Sequence, residues 1–177
     1  MSSAQPVAVD ACVLLNLMAS GCPLSEFAAA AGVTFMVVVQ VWREVLWLDP
    51  DNPDDPREEI DLDPLLASGD LQRLVLTDDE IVRFVALARE IDDGEAATLA
   101  VAESRGLAVA TDDRKARRIL STLSPQLAVT STAALVRAWA VDRNDEDIRT
   151  CIQLIERRAS FVPTGADPDG DWWRSWT

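Results

Sequence analysis

Four carboxylates carry the chemistry open to this sequence: Asp10, Glu44, Glu95 and Asp113, with Asp112 beside the last. Asp10 closes the apolar run Val7-Ala8-Val9, and Asp112-Asp113 close the run Leu107 to Thr111. Acids at the carboxyl ends of parallel strands meet in the crevice where open α/β sheets bind ligands. Carboxylates gathered there repel one another, and a hard cation such as Mg²⁺ or Mn²⁺, which takes oxygen ligands, relieves the repulsion. Phosphodiester hydrolysis needs an attacking water, charge relief on the phosphoryl oxygens and a stabilised leaving oxygen. One or two divalent cations supply all three, with paired ions roughly 3.5–4 Å apart. The roles then divide as follows. Asp10 and Asp113 are direct or water-bridged ligands, Glu95 completes the shell, and Glu44 binds a second ion or orients the water. Thr111 hydrogen-bonds a ligand carboxylate. Arg114, Lys115 and Arg117 are the candidate phosphate contacts.

Each acid also has a plainer role. Asp10 is a good N-cap for a helix beginning at Ala11. Asp92-x-x-Glu95 fits a capping box. Glu44 alone is an ordinary helix carboxylate, and Asp112 or Asp113 suits a cap for a helix at Arg114. The combination is what points to chemistry, because each acid falls at a turn on the same sheet edge.

Composition narrows the choice. The chain has 177 residues with no histidine and no tyrosine. Ser-His-Asp and Cys-His sites are therefore excluded, as is RNA cleavage by a histidine pair. Cys12, Cys22 and Cys151 form no CxxC pair and suit neither zinc nor a disulfide framework. Reduced thiols and a cytoplasmic location are expected. No apolar run approaches the roughly 18 residues of a membrane helix, and the N-terminus lacks the pattern of a secretory signal. The net charge is −14 and the pI about 4.3, which by itself argues against nucleic-acid binding. The charge is uneven, however. Residues 49–63 hold eight acids and one arginine, half of the net charge, whereas Arg114, Lys115, Arg117 and Arg118 follow directly on Asp112-Asp113.

The elements that must position these residues alternate. Strands are expected at 6–10, 33–39, 71–76, 107–111 and 127–130. Helices are expected through Leu14–Met18, at 24–31, from Gln40 to Leu48, from Thr77 to about Ile91, at 95–105, 114–120, 131–139 and 145–158. Thr77 and Glu80 form a capping box, and Gly32 and Gly106 are stops. A Pro-rich acidic loop covers 49–63. Alternation of this kind predicts a parallel sheet covered on both faces. Trp172, Trp173 and Trp176 in the tail are too apolar to stand in water and predict packing on the core or on a partner.

The stretch from Asp92 to Leu120, DDGEAATLAVAESRGLAVATDDRKARRIL, resembles the PIN-domain nucleases. So does the opening VAVDACVLLNL, with an acid at a strand end and Asn16 six residues on, and so does a helix carrying Glu44. The resemblance covers roughly residues 6–140 and is most specific around Glu95 and Asp112-Asp113. It implies an α/β fold: a single PIN-like domain with a parallel sheet of about five strands, ordered 3-2-1-4-5 and flanked by helices on both faces. Residues 1–140 would form the nuclease domain, and 141–177 a C-terminal helix and Trp-rich tail packed on it. It also implies cleavage of single-stranded RNA dependent on Mg²⁺ or Mn²⁺. Asp10, Glu44, Glu95 and Asp113 match the family's acidic quartet; Asp112 assists in holding metal, and Asn16 supports the ligands. Small bacterial members of the VapC type are toxins held by an antitoxin protein, which implies a homodimer and an antitoxin partner here. The chain departs from those toxins in its length, its acidity and its tail. A PIN-like module that acts through partners without turnover is the alternative. A P-loop nucleotide site and a haloacid-dehalogenase-type phosphatase are both unsupported, since the sequence has neither GxxxxGK[ST] nor DxDxT.

Overall fold

A five-residue apolar strand, β1 (Gln5–Val9), lies at the middle of the molecule, its Val7, Ala8 and Val9 buried on both sides as an interior parallel strand requires. The structure is a computed structural model, and it describes residues 4–43, 47–52 and 54–177. Asp10 ends β1 and caps α1 (Ala11–Ala19). After the turn at Gly21 comes α2 (Leu24–Ala31), stopped by Gly32 at φ +66°, a left-handed position that glycine enters without strain. β2 (Val33–Val38) runs directly into the short α3 (Val39–Trp42).

The helix expected from Gln40 to Leu48 is not formed as such. Beyond α3, Trp47 and Leu48 are a strand, β3 (Trp47–Leu48), paired antiparallel with β4 (Glu58–Glu59) inside what reads as an acidic loop. Two causes favour the strand. Pro50 disfavours helical backbone at Asp49, and a strand lets Leu48 bury completely while Asp49 N–H donates to the Arg158 carbonyl at 2.8 Å. Acids of this segment also meet arginines. Arg57 pairs with Asp49 at 2.8 Å and Arg157 with Asp51 at 2.7 Å, and Arg158 pairs with Glu58. Such exposed pairs contribute roughly 0–1 kcal/mol each; their larger effect is to disperse local charge.

α4 (Asp63–Ser68) leads to β5 (Leu71–Leu74). α5 (Asp78–Leu87) begins with the Thr77–Glu80 capping box, both hydrogen bonds formed. α6 (Asp93–Arg105) follows, capped by Asp92 and stopped by Gly106. Next come β6 (Ala108–Ala110), α7 (Arg114–Leu123) and β7 (Val129–Thr130), then α8 (Thr132–Ala140), α9 (Asp145–Ala159) and α10 (Gly170–Arg174).

The sheet is five-stranded and wholly parallel, ordered β5-β2-β1-β6-β7. Leaving aside the small β3–β4 pair, that is the expected order 3-2-1-4-5. The helices form two packed groups: α1 meets α2, α8 and α9, and α6 meets α3, α5 and α7. The order reverses between β1 and β6, which sets the crevice of the sheet at their carboxyl ends. The tail packs on the core. Trp173 in α10 is fully buried, and its indole N–H donates to Glu156 at 2.8 Å. Among the described residues no single helix is long and apolar enough to cross a membrane.

One ion pair, buried on its acid side and open on its arginine side, fixes α6 relative to α5, and with it the turn at Asp92. Glu80 is 2% exposed and accepts from Arg105 Nε at 2.7 Å, from Arg105 Nη2 at 2.8 Å and from the Thr77 N–H at 2.8 Å. The Arg105 hydrogen bonds, more than any other cause, lower the Glu80 pKa from 4.5 to about 2. An acid whose folded pKa lies below its unfolded one stabilises the fold above the unfolded value, and the gain is lost as pH falls through the folded value. Glu80→Ala is expected to cost about 1–2 kcal/mol at pH 7, because Arg105 loses its charge-assisted hydrogen bonds but stays open to water. Urea unfolding at pH 7 and pH 3 is the check: the cost must be smaller at pH 3, and an equal cost at both refutes an ionic origin.

Candidate active site at the carboxyl edge of the sheet

Asp10 stands at the switch point. Its backbone N–H bonds to the Ala110 carbonyl at 3.0 Å, which ties the ends of β1 and β6 together. Its side chain is 3% exposed. Oδ1 accepts from the Ala11 N–H at 2.8 Å, the expected cap, while Oδ2 accepts from Thr111 Oγ1 at 3.0 Å and from the Cys12 thiol at 3.4 Å. Thr111 is fully buried, and its Oγ1 also accepts the Asp113 N–H at 3.2 Å. One hydroxyl thus orients the first acid and the turn that carries the others.

Asp112 is held from the opposite side. Oδ1 accepts the Thr132 N–H at 3.0 Å; Oδ2 accepts Thr132 Oγ1 at 2.5 Å and Asn16 Nδ2 at 3.0 Å. Asn16 is buried, and also donates to Thr132 Oγ1 at 3.1 Å. Between the two acids lies Cys12, whose sulfur accepts the Asp112 N–H at 3.5 Å. The ends of β1 and β6 and the starts of α1 and α8 are therefore joined by one polar network, Thr111–Asp10–Cys12–Asp112–Asn16–Thr132.

Burial dominates the electrostatics. Desolvation raises the pKa of Asp10 above 3.8 against the bonds from Thr111, Cys12 and Ala11, and the charge of Asp92 adds to the rise. Desolvation raises Asp112 likewise, opposed by Thr132, Asn16 and the Arg117 charge. Burial and the Asp10 charge push the Cys12 thiol up, so Cys12 stays protonated and is no nucleophile.

The remaining predicted residues fall around this network. Asp113 caps α7, its Oδ1 accepting the N–H groups of Lys115 and Ala116, both at 2.7 Å. Glu95 is half-buried in the first turn of α6, with its N–H on Asp92 Oδ1 at 2.8 Å. Arg117 Nε donates to the Thr111 carbonyl at 2.8 Å, Lys115 reaches the Glu90 carbonyl, and Arg114 is exposed at the start of α7. Glu44 lies outside the described residues. Among the described residues no three acids or thiols stand together as ready metal ligands.

Three participants escaped the sequence reading. Asp92 reads as a cap, yet its charge reaches Asp10. Cys12 reads as a spare thiol; its i+2 position from Asp10 is the only signal. Thr132 gives no signal at all, since the fold alone brings it to Asp112. No family model, curated protein or solved structure matches the chain. The arrangement must be judged by its own chemistry.

That chemistry suits a hard cation. The donors are carboxylates, and Asp10 Oδ1 and Asp112 Oδ1 each accept one hydrogen bond, which leaves a lone pair free on each. Mg²⁺ is usually bound by one or two carboxylates, the rest of its shell being water and substrate phosphate. The residues present fit such an ion in kind.

Proposed function

We propose that this protein is a metal-dependent endoribonuclease, of the kind that serves as the toxin of a toxin–antitoxin pair. The observation that carries the reading is the pair Asp10 and Asp112 at the sheet's switch point: a buried acid and a half-buried one, both pushed toward protonation by desolvation, with a cationic helix beginning two residues beyond the second. Acids kept dry in a crevice destabilise the fold unless an ion or substrate compensates, and such residues concentrate at functional sites.

In this reading Asp10 and Asp112 hold Mg²⁺ or Mn²⁺, with Asp113, Glu95 and Glu44 as the further acids that the resemblance assigns. The ion supplies charge relief at the phosphoryl group and acidifies water. Thr111 and Asn16 keep the carboxylates aimed. Arg114 and Arg117 meet the RNA backbone, and three acids of residues 49–63 are answered by Arg57, Arg157 and Arg158. A homodimer and an antitoxin belong to the same reading. The apolar surface of Val75, Ile81, Val82 and Val85 on and beside α5 is the kind of patch such partners cover.

The test is cleavage of a single-stranded RNA oligomer with Mn²⁺ and with EDTA, by the native chain and by two variants, Asp10→Ala and the double substitution Asp112→Ala/Asp113→Ala. Metal-dependent cleavage that either substitution abolishes is expected. Cleavage retained in both variants rejects the assignment. The second reading, a non-catalytic PIN-like interaction module, draws support from the missing three-acid group among the described residues. Calorimetry separates the two, since a module has no need to bind Mn²⁺.

A further inference from the structure

A cavity of about 290 Å³ opens beside Asp112, between the start of α7 and the segment that follows α9. Its walls include Asp112, Arg114, Arg117, Phe161, Pro163 and Thr164. The pocket therefore joins the acidic edge of the sheet to the C-terminal tail, a part of the chain to which the nuclease reading gives no task. We propose that it is a mononucleotide subsite: it seats one nucleotide of the RNA chain, phosphate on Arg114 and Arg117, base against Phe161. This inference rests on the nuclease reading and adds to it the place where substrate is gripped.

Size, charge and shape each support the assignment. The volume lies at the small end of ligand sites, roughly 300–1,000 Å³, enough for one nucleotide and too little for several. Arg114 and Arg117 are three apart on α7, so they share a helix face. Arg117 spends Nε on the Thr111 carbonyl, which leaves its terminal nitrogens for a ligand, and Arg114 has no ion pair among the described residues. Two acids, Asp112 and Asp167, share the wall and offset part of this charge, but their oxygens are turned to other donors. Asp112 is engaged by Thr132 and Asn16, and Asp167 Oδ1 accepts the Asp169 N–H of its own loop at 2.9 Å. Guanidinium groups bind phosphate oxygens bidentately. Phe161 packs against Trp173 with the ring planes nearly perpendicular, centroids 5.6 Å apart at 87°, so the ring rests on a fully buried indole. A braced aromatic ring beside cationic groups is the arrangement by which proteins hold single-stranded bases without reading their sequence.

The placement also explains a geometric need. A scissile phosphate must be presented to Asp10 and Asp112 in one register, and a subsite sharing Asp112 as a wall sets that register one nucleotide away. The tail then acts as a positioning element for the substrate.

The probe is 5′-AMP bound to the full chain, followed by calorimetry and by tryptophan fluorescence, with inorganic phosphate and adenosine as the separate halves. Binding of 5′-AMP is expected to be at least tenfold tighter than either half. Arg114→Ala is expected to weaken it roughly fivefold or more, and Phe161→Leu, which keeps apolar bulk and removes the ring face, by a similar factor, the scale of one lost stacking contact. Circular dichroism confirms the fold of each variant. In cleavage, both substitutions should raise KM more than they lower kcat. Binding of 5′-AMP no tighter than phosphate, or indifferent to both substitutions, overturns the subsite. The two proposals fail separately. Active protein with indifferent 5′-AMP binding removes the subsite alone, while inactive protein with the expected binding removes the nuclease reading and leaves a nucleotide site.

Discussion

Asp10→Asn is expected to abolish RNA cleavage and, in the absence of divalent cations, to raise the melting temperature. The two effects share one cause. Asp10 is buried, and desolvation lifts its pKa above that of the unfolded chain. An acid with a raised folded pKa gives the fold its full benefit only below the unfolded value near 3.8, and that benefit is lost as pH rises through the folded value. At pH 7 the buried acid is therefore a net cost to the fold. Asparagine keeps an oxygen for the Ala11 N–H and is itself a good N-cap, so the charge goes while the cap stays. The gain should be about 1 kcal/mol, typical when a functional residue is relieved, or about 2–4 °C in a chain of this size. Cleavage should fall at least about a hundredfold, more than the loss expected from a residue that merely supports a ligand. Mn²⁺ should stabilise the native chain, by about 2.7 kcal/mol at a hundred times its Kd, and should stabilise Asp10→Asn far less. A variant that melts lower than the native chain at pH 7 without metal would show that the carboxylate is a structural cap first. Loss of cleavage would then say nothing about its chemistry.

Asp112 is expected to behave differently, and the contrast bears on what sequence can disclose. Its oxygens take three donors, from Thr132 N–H, Thr132 Oγ1 and Asn16 Nδ2. An amide at Asp10 faces a hydroxyl and a thiol, which can turn to accept, whereas at Asp112 it must face a fixed N–H, of Thr132 or of Asn16, so Asp112→Asn should lose stability where Asp10→Asn gains it. The position of both acids at strand ends was legible, because an apolar run followed by an acid marks the carboxyl end of a buried parallel strand. The parallel sheet was legible from the alternation of elements, and its strand order only through the resemblance. The caps at Thr77, Gly32 and Gly106 are local chemistry and were legible for that reason. Hidden was whatever depends on the fold bringing distant residues together: Thr132 under Asp112, the Asp92 charge near Asp10, arginines of α9 answering acids of residues 49–63. The strand Trp47–Leu48 was hidden for a related reason. Its periodicity also suits a helix, and the partner that decides the matter, Glu58–Glu59, lies in a segment whose composition reads as loop.

Trp173→Ala is expected to be the most destabilising single substitution in the tail, costing about 3–5 kcal/mol, the range for emptying a large aromatic site in a core. The melting temperature should fall by roughly 10 °C. Trp173 is fully buried, bonds to Glu156 and braces Phe161. Trp172 and Trp176 are only partly buried and lean on each other, centroids 6.3 Å apart, with Arg137 and Arg149 over their rings. Alanine at either should cost about 1 kcal/mol. The size of the difference tests how the tail is used. If its tryptophans were a surface for RNA, the three substitutions would alter binding alike and stability little. If Trp173 is the anchor, only its loss unfolds the tail, removes the Phe161 wall beside Asp112, and so raises KM for RNA at temperatures where the sheet is still folded. Trp173→Phe, which refills most of the volume but cannot donate to Glu156, should recover most of the stability and most of the KM. Recovery of one without the other would separate the tail's packing from its part in holding substrate.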